Sequence, residues 1–211
     1  MRKLLYFIAF SMLPFITTAQ EQKFHFGLKI TPSMAWIKPD NKGTDRDGYR
    51  VGFSYGVQTE FRFQDNYAIA SGVQVAYRGG NLKSNVLDST GANVGHITNK
   101  FKLQYVEIPI CLKMKTNEFG KYRYYGQFGF SPSFRIKAKY DSPVEEDLDA
   151  KKAVALFNMN MIIGAGVEYT ISGSTVLFGG IEFNNGFFDI FEANSSKGVT
   201  NCLGLTIGVL F

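Results

Sequence analysis

Eight stretches of this chain alternate apolar residues with polar or small ones, and the connections between them run long, short, long, short, long, short, long. From Val51 to Phe63 the alternation sets Val51, Phe53, Tyr55, Val57, Phe61 and Phe63 against Gly52, Ser54, Gly56, Gln58, Glu60 and Arg62. The last stretch, Gly198 to Phe211, sets Val199, Leu203, Leu205, Ile207, Val209 and Phe211, with Asn201 the only polar member, against Thr200, Cys202, Gly204, Thr206 and Gly208. A period of two is the side-chain spacing of a strand. A soluble sandwich has no reason to sort its loop lengths by parity. An antiparallel barrel with an even number of strands does, because short turns lie on one side of the membrane and long loops on the other. The expected architecture is all-β: an eight-stranded antiparallel transmembrane up-and-down β-barrel with four long extracellular loops.

In chain order the pattern predicts strands at Lys23–Trp36, Val51–Phe63, Tyr67–Arg78, Phe101–Lys115, Tyr122–Tyr140, Phe157–Ile171, Thr175–Asn184 and Gly198–Phe211. Gln64-Asp65-Asn66, Thr116–Lys121 and Ser172-Gly173-Ser174 are the short turns. Lys38–Arg50, Gly79–Lys100, Asp141–Leu156 and Asn185–Lys197 are the long loops. In the third loop, Glu145-Glu146-Asp147 ahead of Lys151-Lys152 has the charge order of a short helix. In the fourth strand the apolar phase passes from Phe101, Leu103 and Tyr105 to Val106, Ile108, Ile110, Leu112 and Met114, which predicts a β-bulge at Tyr105/Val106, and Pro109 removes a ladder donor nearby. Aromatic residues are expected at both rims: Phe24, Phe26, Phe61, Phe63, Tyr67, Tyr122, Tyr124, Tyr169 and Phe211 on the periplasmic side, and Trp36, Tyr49, Tyr77, Phe101 and Tyr140 on the outer side.

The first nineteen residues read as an export signal. Arg2 and Lys3 precede the apolar run Leu4–Ile16, and the small residues Thr17-Thr18-Ala19 stand ahead of Gln20, so residues 1–19 are expected to be cleaved and 20–211 to form the barrel. Loss of Arg2 and Lys3 takes the formal charge from +5 to +3, two cations fewer, and the remaining Lys and Arg are scattered among acids. That distribution is not a nucleic-acid footprint. A hydrophobic content of 45% and a mean hydropathy of −0.07 are too polar for a helical membrane bundle, but a barrel whose lumen residues dilute its lipid-facing ones fits.

Tyr105-Val106-Glu107-Ile108-Pro109, followed by Ile110-Cys111-Leu112-Lys113, resembles the Tyr-Leu-Glu-Ile-Pro signature of the PorT-like outer-membrane β-barrel proteins of Bacteroidetes. Tyr125–Gly129, Phe183–Ile190 and the closing Gly208–Phe211 fit the same resemblance, which covers the mature chain. Ile30-Thr31-Pro32 and Phe187 depart from the family's usual Gly-Leu-Asn-like segment and Leu. The resemblance implies an outer-membrane location and, for some members, a part in type IX protein secretion.

The alternation turns a set of charged and polar side chains inward: Glu60, Arg62, Gln74, Arg78, Glu107, Lys113, Arg123, Arg135, Lys137, Glu168 and Glu182. The interior of an eight-stranded barrel is only wide enough to be filled by side chains, so these are expected to pair across the lumen as a structural charge network and to plug it. His25 and His96 are too few and too far apart for a metal site, and they lack the serine and acid company of a hydrolase. No cofactor and no catalysis are therefore expected. Cys111 and Cys202, on strands at opposite walls, are expected to stay unpaired. The expected partners are outer-membrane lipid, the barrel-assembly machinery through the C-terminal strand, and a protein or ligand at the loops. The open functional readings are a structural or interaction barrel, a type IX secretion accessory and an outer-membrane lipid-modifying enzyme.

N-terminal sequencing of the protein recovered from outer membranes is expected to begin close to Gln20. Recovery of the chain in the soluble periplasmic fraction, without a heat-dependent gel mobility shift, would contradict the barrel reading.

Overall fold

The computed structural model describes residues 23–40, 43–88, 93–192 and 197–211. The export-signal segment lies outside them. The chain forms β1 (Phe24–Pro39), β2 (Thr44–Arg46), β3 (Arg50–Gln64), β4 (Tyr67–Leu87), β5 (Asn93–Glu107), β6 (Ile110–Lys115), β7 (Tyr122–Asp141), β8 (Leu148–Asp149), β9 (Phe157–Ser172), β10 (Thr175–Gly186) and β11 (Gly198–Leu210). The short β2 and β8 sit on the extracellular extensions of β4 and β7, and β5 and β6 are two halves of one wall strand. Eight antiparallel wall strands remain. The first pairs with the last, Leu28 opposite Val209 and Met34 opposite Leu203, which closes the sheet and leaves the wall no edge.

The distribution of polarity is inside out. Leu28, Ile30, Met34, Leu203, Leu205 and Ile207 are exposed on the outer face, while Lys29, Glu60, Glu107, Lys113, Glu168 and Glu182 are buried in the lumen. Water would penalise that arrangement. A hydrocarbon surround accepts it, because the closed antiparallel ladders pair the wall's backbone groups strand to strand.

Lumen glycines decide what fits inside. Gly166 on β9 faces Gly180 on β10, and a Cβ on either would stand 2.6 Å or 2.7 Å from the Tyr125 hydroxyl. Gly208 likewise leaves its space to the Phe178 ring, which a Cβ would approach to 2.3 Å. The turn between β9 and β10 uses the left-handed backbone of Gly173, at φ 56°, as a tight hairpin requires.

Four sequence expectations are corrected. The second loop, Gly79–Lys100, is mostly strand: β4 and β5 continue beyond the membrane as a hairpin from Gly80 opposite Phe101 to Val86 opposite Gly95. Beyond Leu82, which still packs into the lumen cluster, neither face is buried, so the alternation that marks a half-buried strand fades there. The side-chain alternation of the fourth strand never slips; it is the apolar residues that pass from the inner face to the outer. Leu103, Tyr105, Glu107, Cys111, Lys113 and Lys115 all point inward, and the strand breaks instead at Ile108–Pro109, where the ladder lacks the proline donor. The β-bulge lies across from Tyr105 on β7, where the register shifts between Gln104 and Tyr105 and Ile136 is the extra residue. That bulge turns Lys137 outward, opposite Gln104, and so removes it from the lumen face where the uninterrupted alternation places it. The third loop carries β8 in place of a helix, and Asp147 takes left-handed backbone at φ 59°, which a right-handed helix cannot include.

The fourth correction concerns the outer rim. Trp36 and Tyr49 stand edge to face at 5.5 Å, but Phe101 and Tyr140 turn inward. They pack on a cluster of Ile37, Leu82, Leu103, Tyr105 and Ala138 that also takes Ala150, Val154 and Ile190 from two loops. The loops are tied down by backbone bonds from Ala150 to Ala138 (3.1 Å) and from Ala155 to Ile190 (2.8 Å). An apolar lid therefore covers the extracellular end of the lumen.

Gly166→Val is expected to displace Tyr125 and overpack the lumen, at a cost of about 1 to 3 kcal/mol. The barrel should lose its heat-dependent gel mobility shift at a lower temperature than the unsubstituted protein.

Candidate functional site

The strands bring most of the charged lumen residues together in three groups. In the first, Lys113 and Lys115 on β6 meet Glu60 on β3 and Glu168 on β9. Each lysine contacts both glutamates: Lys113 lies 2.9 Å from Glu60 and also touches Glu168, while Lys115 lies 2.9 Å from Glu168 and also touches Glu60. Two cations and two anions make a neutral ring. It joins walls that share no backbone ladder, since β4 separates β3 from β6 and β7 separates β6 from β9. The Lys113 ammonium also stands 4.2 Å from the Tyr125 ring centre and 5.3 Å from that of Phe178, a cation–π seat on the two rings that the lumen glycines admit.

In the second group Arg78 on β4 grips Glu107 on β5 with two nitrogens, at 2.9 Å and 3.0 Å, and Gln74 donates to the same carboxylate at 2.6 Å. Glu107 is wholly buried. In the third, Glu182 on β10 is 3.5 Å from the Lys29 ammonium on β1 and accepts from Gln127 on β7 (3.2 Å) and Asn184 (2.9 Å). That carboxylate again spans the lumen to strands with which β10 has no ladder.

The remaining predicted residues lie toward the ends. Arg62 reaches His25 Nε2 at 3.5 Å and Arg123 pairs with Glu118 at 2.9 Å, both at the periplasmic mouth. With Glu168 and Thr170 they line a basin of about 450 Å³. Arg135 sits beside the bulge, and its Nε has no hydrogen-bond partner among the described residues. Lys29, Lys115 and Gln127 belong to the site but are absent from the sequence list of lumen residues. Lys29 and Lys115 share parity with His25 and Lys113, so the alternation already marked them. His96 Nδ1 donates to Asn85 Oδ1 at 2.9 Å on the extracellular hairpin, far from His25 along the barrel. Cys111 and Cys202 are buried and form no disulfide.

The arrangement is a ladder of compensated charges with an apolar lid above it and a shallow basin below. Removing one member of a buried pair leaves the other uncompensated, which costs more than the pair itself contributes. Glu107→Ala leaves Arg78 without its carboxylate, and equilibrium unfolding in urea is expected to show a loss of about 3 to 5 kcal/mol.

A family model described as "Outer membrane protein beta-barrel domain" matches residues 18–192. No curated protein matches the chain. Among solved structures, Neisserial surface protein A (NspA) aligns over 90% of this chain and 96% of its own, at 17% identity and a TM-score of 0.51. The outer membrane protease OmpT from Escherichia coli aligns over 93% of this chain and 99% of its own, at 8% identity and a TM-score of 0.51. Identities this low speak to the fold alone. With the closed inside-out barrel and the family match over most of its length, the chain belongs to the outer membrane protein beta-barrel domain family and is an outer-membrane β-barrel protein.

Proposed function

We propose that this protein is a closed, non-catalytic barrel that serves as a rigid scaffold for its extracellular segments. The observation that carries this reading is the neutral ring of Lys113, Lys115, Glu60 and Glu168 across the lumen. A conducting path needs mobile water and charges free to exchange partners with passing ions. Here each ring charge is already matched, and the lid of Ile37, Leu103, Tyr105, Val154 and Ile190 shuts the extracellular end. Binding then falls to the exposed loops and to the β4–β5 hairpin, since loops held on a rigid frame are where recognition is usually built.

The PorT-like resemblance supports a second reading, an accessory part in type IX secretion. In Tyr105–Pro109, the segment that carries the resemblance, Tyr105 packs in the lid, Glu107 takes the Arg78 fork, and Pro109 stands at the strand break. Those are architectural tasks. They support a shared barrel design more than a shared partner, so the scaffold reading is preferred.

Planar-bilayer recording is expected to find no steady conductance from the purified barrel. Rare small openings that become frequent in Glu107→Ala would support closure by the ion pairs. A steady large conductance from the unsubstituted protein would overturn it.

A further inference from the structure

The outer wall is not uniform around its extracellular rim. Across β3, β4, β5 and β7 three successive outward-facing rows change character. The lowest is apolar, Tyr55 beside Val75, Val106 and Phe134. The middle row is mixed: Phe53, Tyr77, Gln104 and Lys137. The highest is cationic, with Lys102 paired to Lys139 on one side and to Gly79 on the other. Gly79 has no side chain of its own there, and a Cβ would come within 3.0 Å of the Arg50 side chain, which fills that place in the row.

Arg50, Lys102, Lys137 and Lys139 thus surround a cleft of about 260 Å³ on the lipid-facing side, floored by Tyr77 and Gln104. Asp147 closes its upper edge, 3.1 Å from Lys102 and 3.0 Å from Lys139, and Asp141 lies 2.7 Å from Lys102. Hydrogen bonds from Lys139 and then Lys102 hold the Asp147 carboxyl below its ordinary value. Four cations against two carboxylates leave an excess of two, and Arg50 and Lys137 form no ion pair among the described residues. Neighbouring strands stand about 4.8 Å apart and successive outward residues about 6.8 Å, so these side-chain heads can converge on one phosphate.

We infer that this cleft binds the phosphorylated headgroup of a lipid in the outer leaflet, with the lipid's acyl chains lying against the apolar row beneath. The order of the rows matches such a molecule from tail to headgroup: hydrocarbon, a polar waist with an aromatic ring at the interface, then a multivalent cation cluster. A free anion would use the cations alone and would leave the graded wall below them unexplained. Lys137 belongs to the rung of Phe53 and Tyr77, a depth at which a lysine snorkels and benefits from a fixed anion. The inference rests on the barrel's place in a membrane and is independent of whether the lumen conducts.

The test uses native mass spectrometry of the barrel released from phosphatidylcholine nanodiscs that contain equal amounts of bisphosphorylated lipid A and its dephosphorylated form. Preferential retention of the bisphosphorylated lipid is expected, falling about fivefold in Lys137→Gln, about fivefold in Lys139→Gln and by roughly the product in the double variant, from the usual contribution of one basic residue near an anionic surface. Lys197→Gln, exposed just ahead of β11 on the wall opposite β5, should leave retention unchanged, and a retained heat-dependent gel shift shows that each variant is folded. Equal retention of the two lipids, or no response to the lysine substitutions, would overturn the proposal. Complete displacement of the lipid by inorganic phosphate would assign the cations to a free anion and overturn the lipid assignment.

Discussion

Charge buried where water cannot follow must be matched, and in this barrel that requirement organises the interior. Eight strands leave room for side chains and little else. Into that space the sequence places Glu60, Glu107, Glu168 and Glu182 with Lys29, Arg78, Lys113 and Lys115. Backbone ladders already hold each strand to its neighbours. The lumen pairs act in the other direction, from β3 to β6, from β6 to β9 and from β10 to β1, and so resist the collapse or ovalisation of a tube that ladders alone leave free.

Small residues make the matching possible. Gly166 and Gly180 admit the Tyr125 ring, and Tyr125 with Phe178 supplies the aromatic faces under the Lys113 ammonium. The lysine is then within reach of two carboxylates from opposite sides. Glycine, aromatic ring, cation and anion form one chain of dependence, in which the residue with no side chain fixes where the charges stand. At the extracellular end the same geometry is filled by apolar groups, because there loop residues Ala150, Val154 and Ile190 can fold back onto the strand residues.

Much of the wall was legible in the sequence because lipid on one side and a packed lumen on the other enforce a period of two. Strand ends were legible only where that contrast persists. Past Leu82 on β4 and ahead of Lys100 on β5 neither face is buried, so the alternation gives no reason to extend the strands there. Leu103 and Tyr105 misled for a related cause. Apolar residues of a barrel wall ordinarily face lipid, yet near the lid the interior is apolar too, so a constant inward phase reads as a slip. The Ile136 bulge has no composition of its own, and its effect, turning Lys137 outward, needed the register across β5 and β7. In the lumen, parity marked the charged residues, but which of them meet depends on contacts between strands that do not pair, as with Lys115 and Glu168.

The central claim is that the lumen charges are coupled across the barrel, beyond being merely present. A double-mutant cycle on Glu60→Gln and Lys113→Met, followed by urea unfolding in a defined lipid bilayer, measures that coupling directly. An interaction of about 1 to 3 kcal/mol is expected, with the double variant clearly more stable than the sum of the single losses implies. Losses that add to within about 0.5 kcal/mol would contradict a coupled pair and remove the basis for a lumen held closed by its own charges.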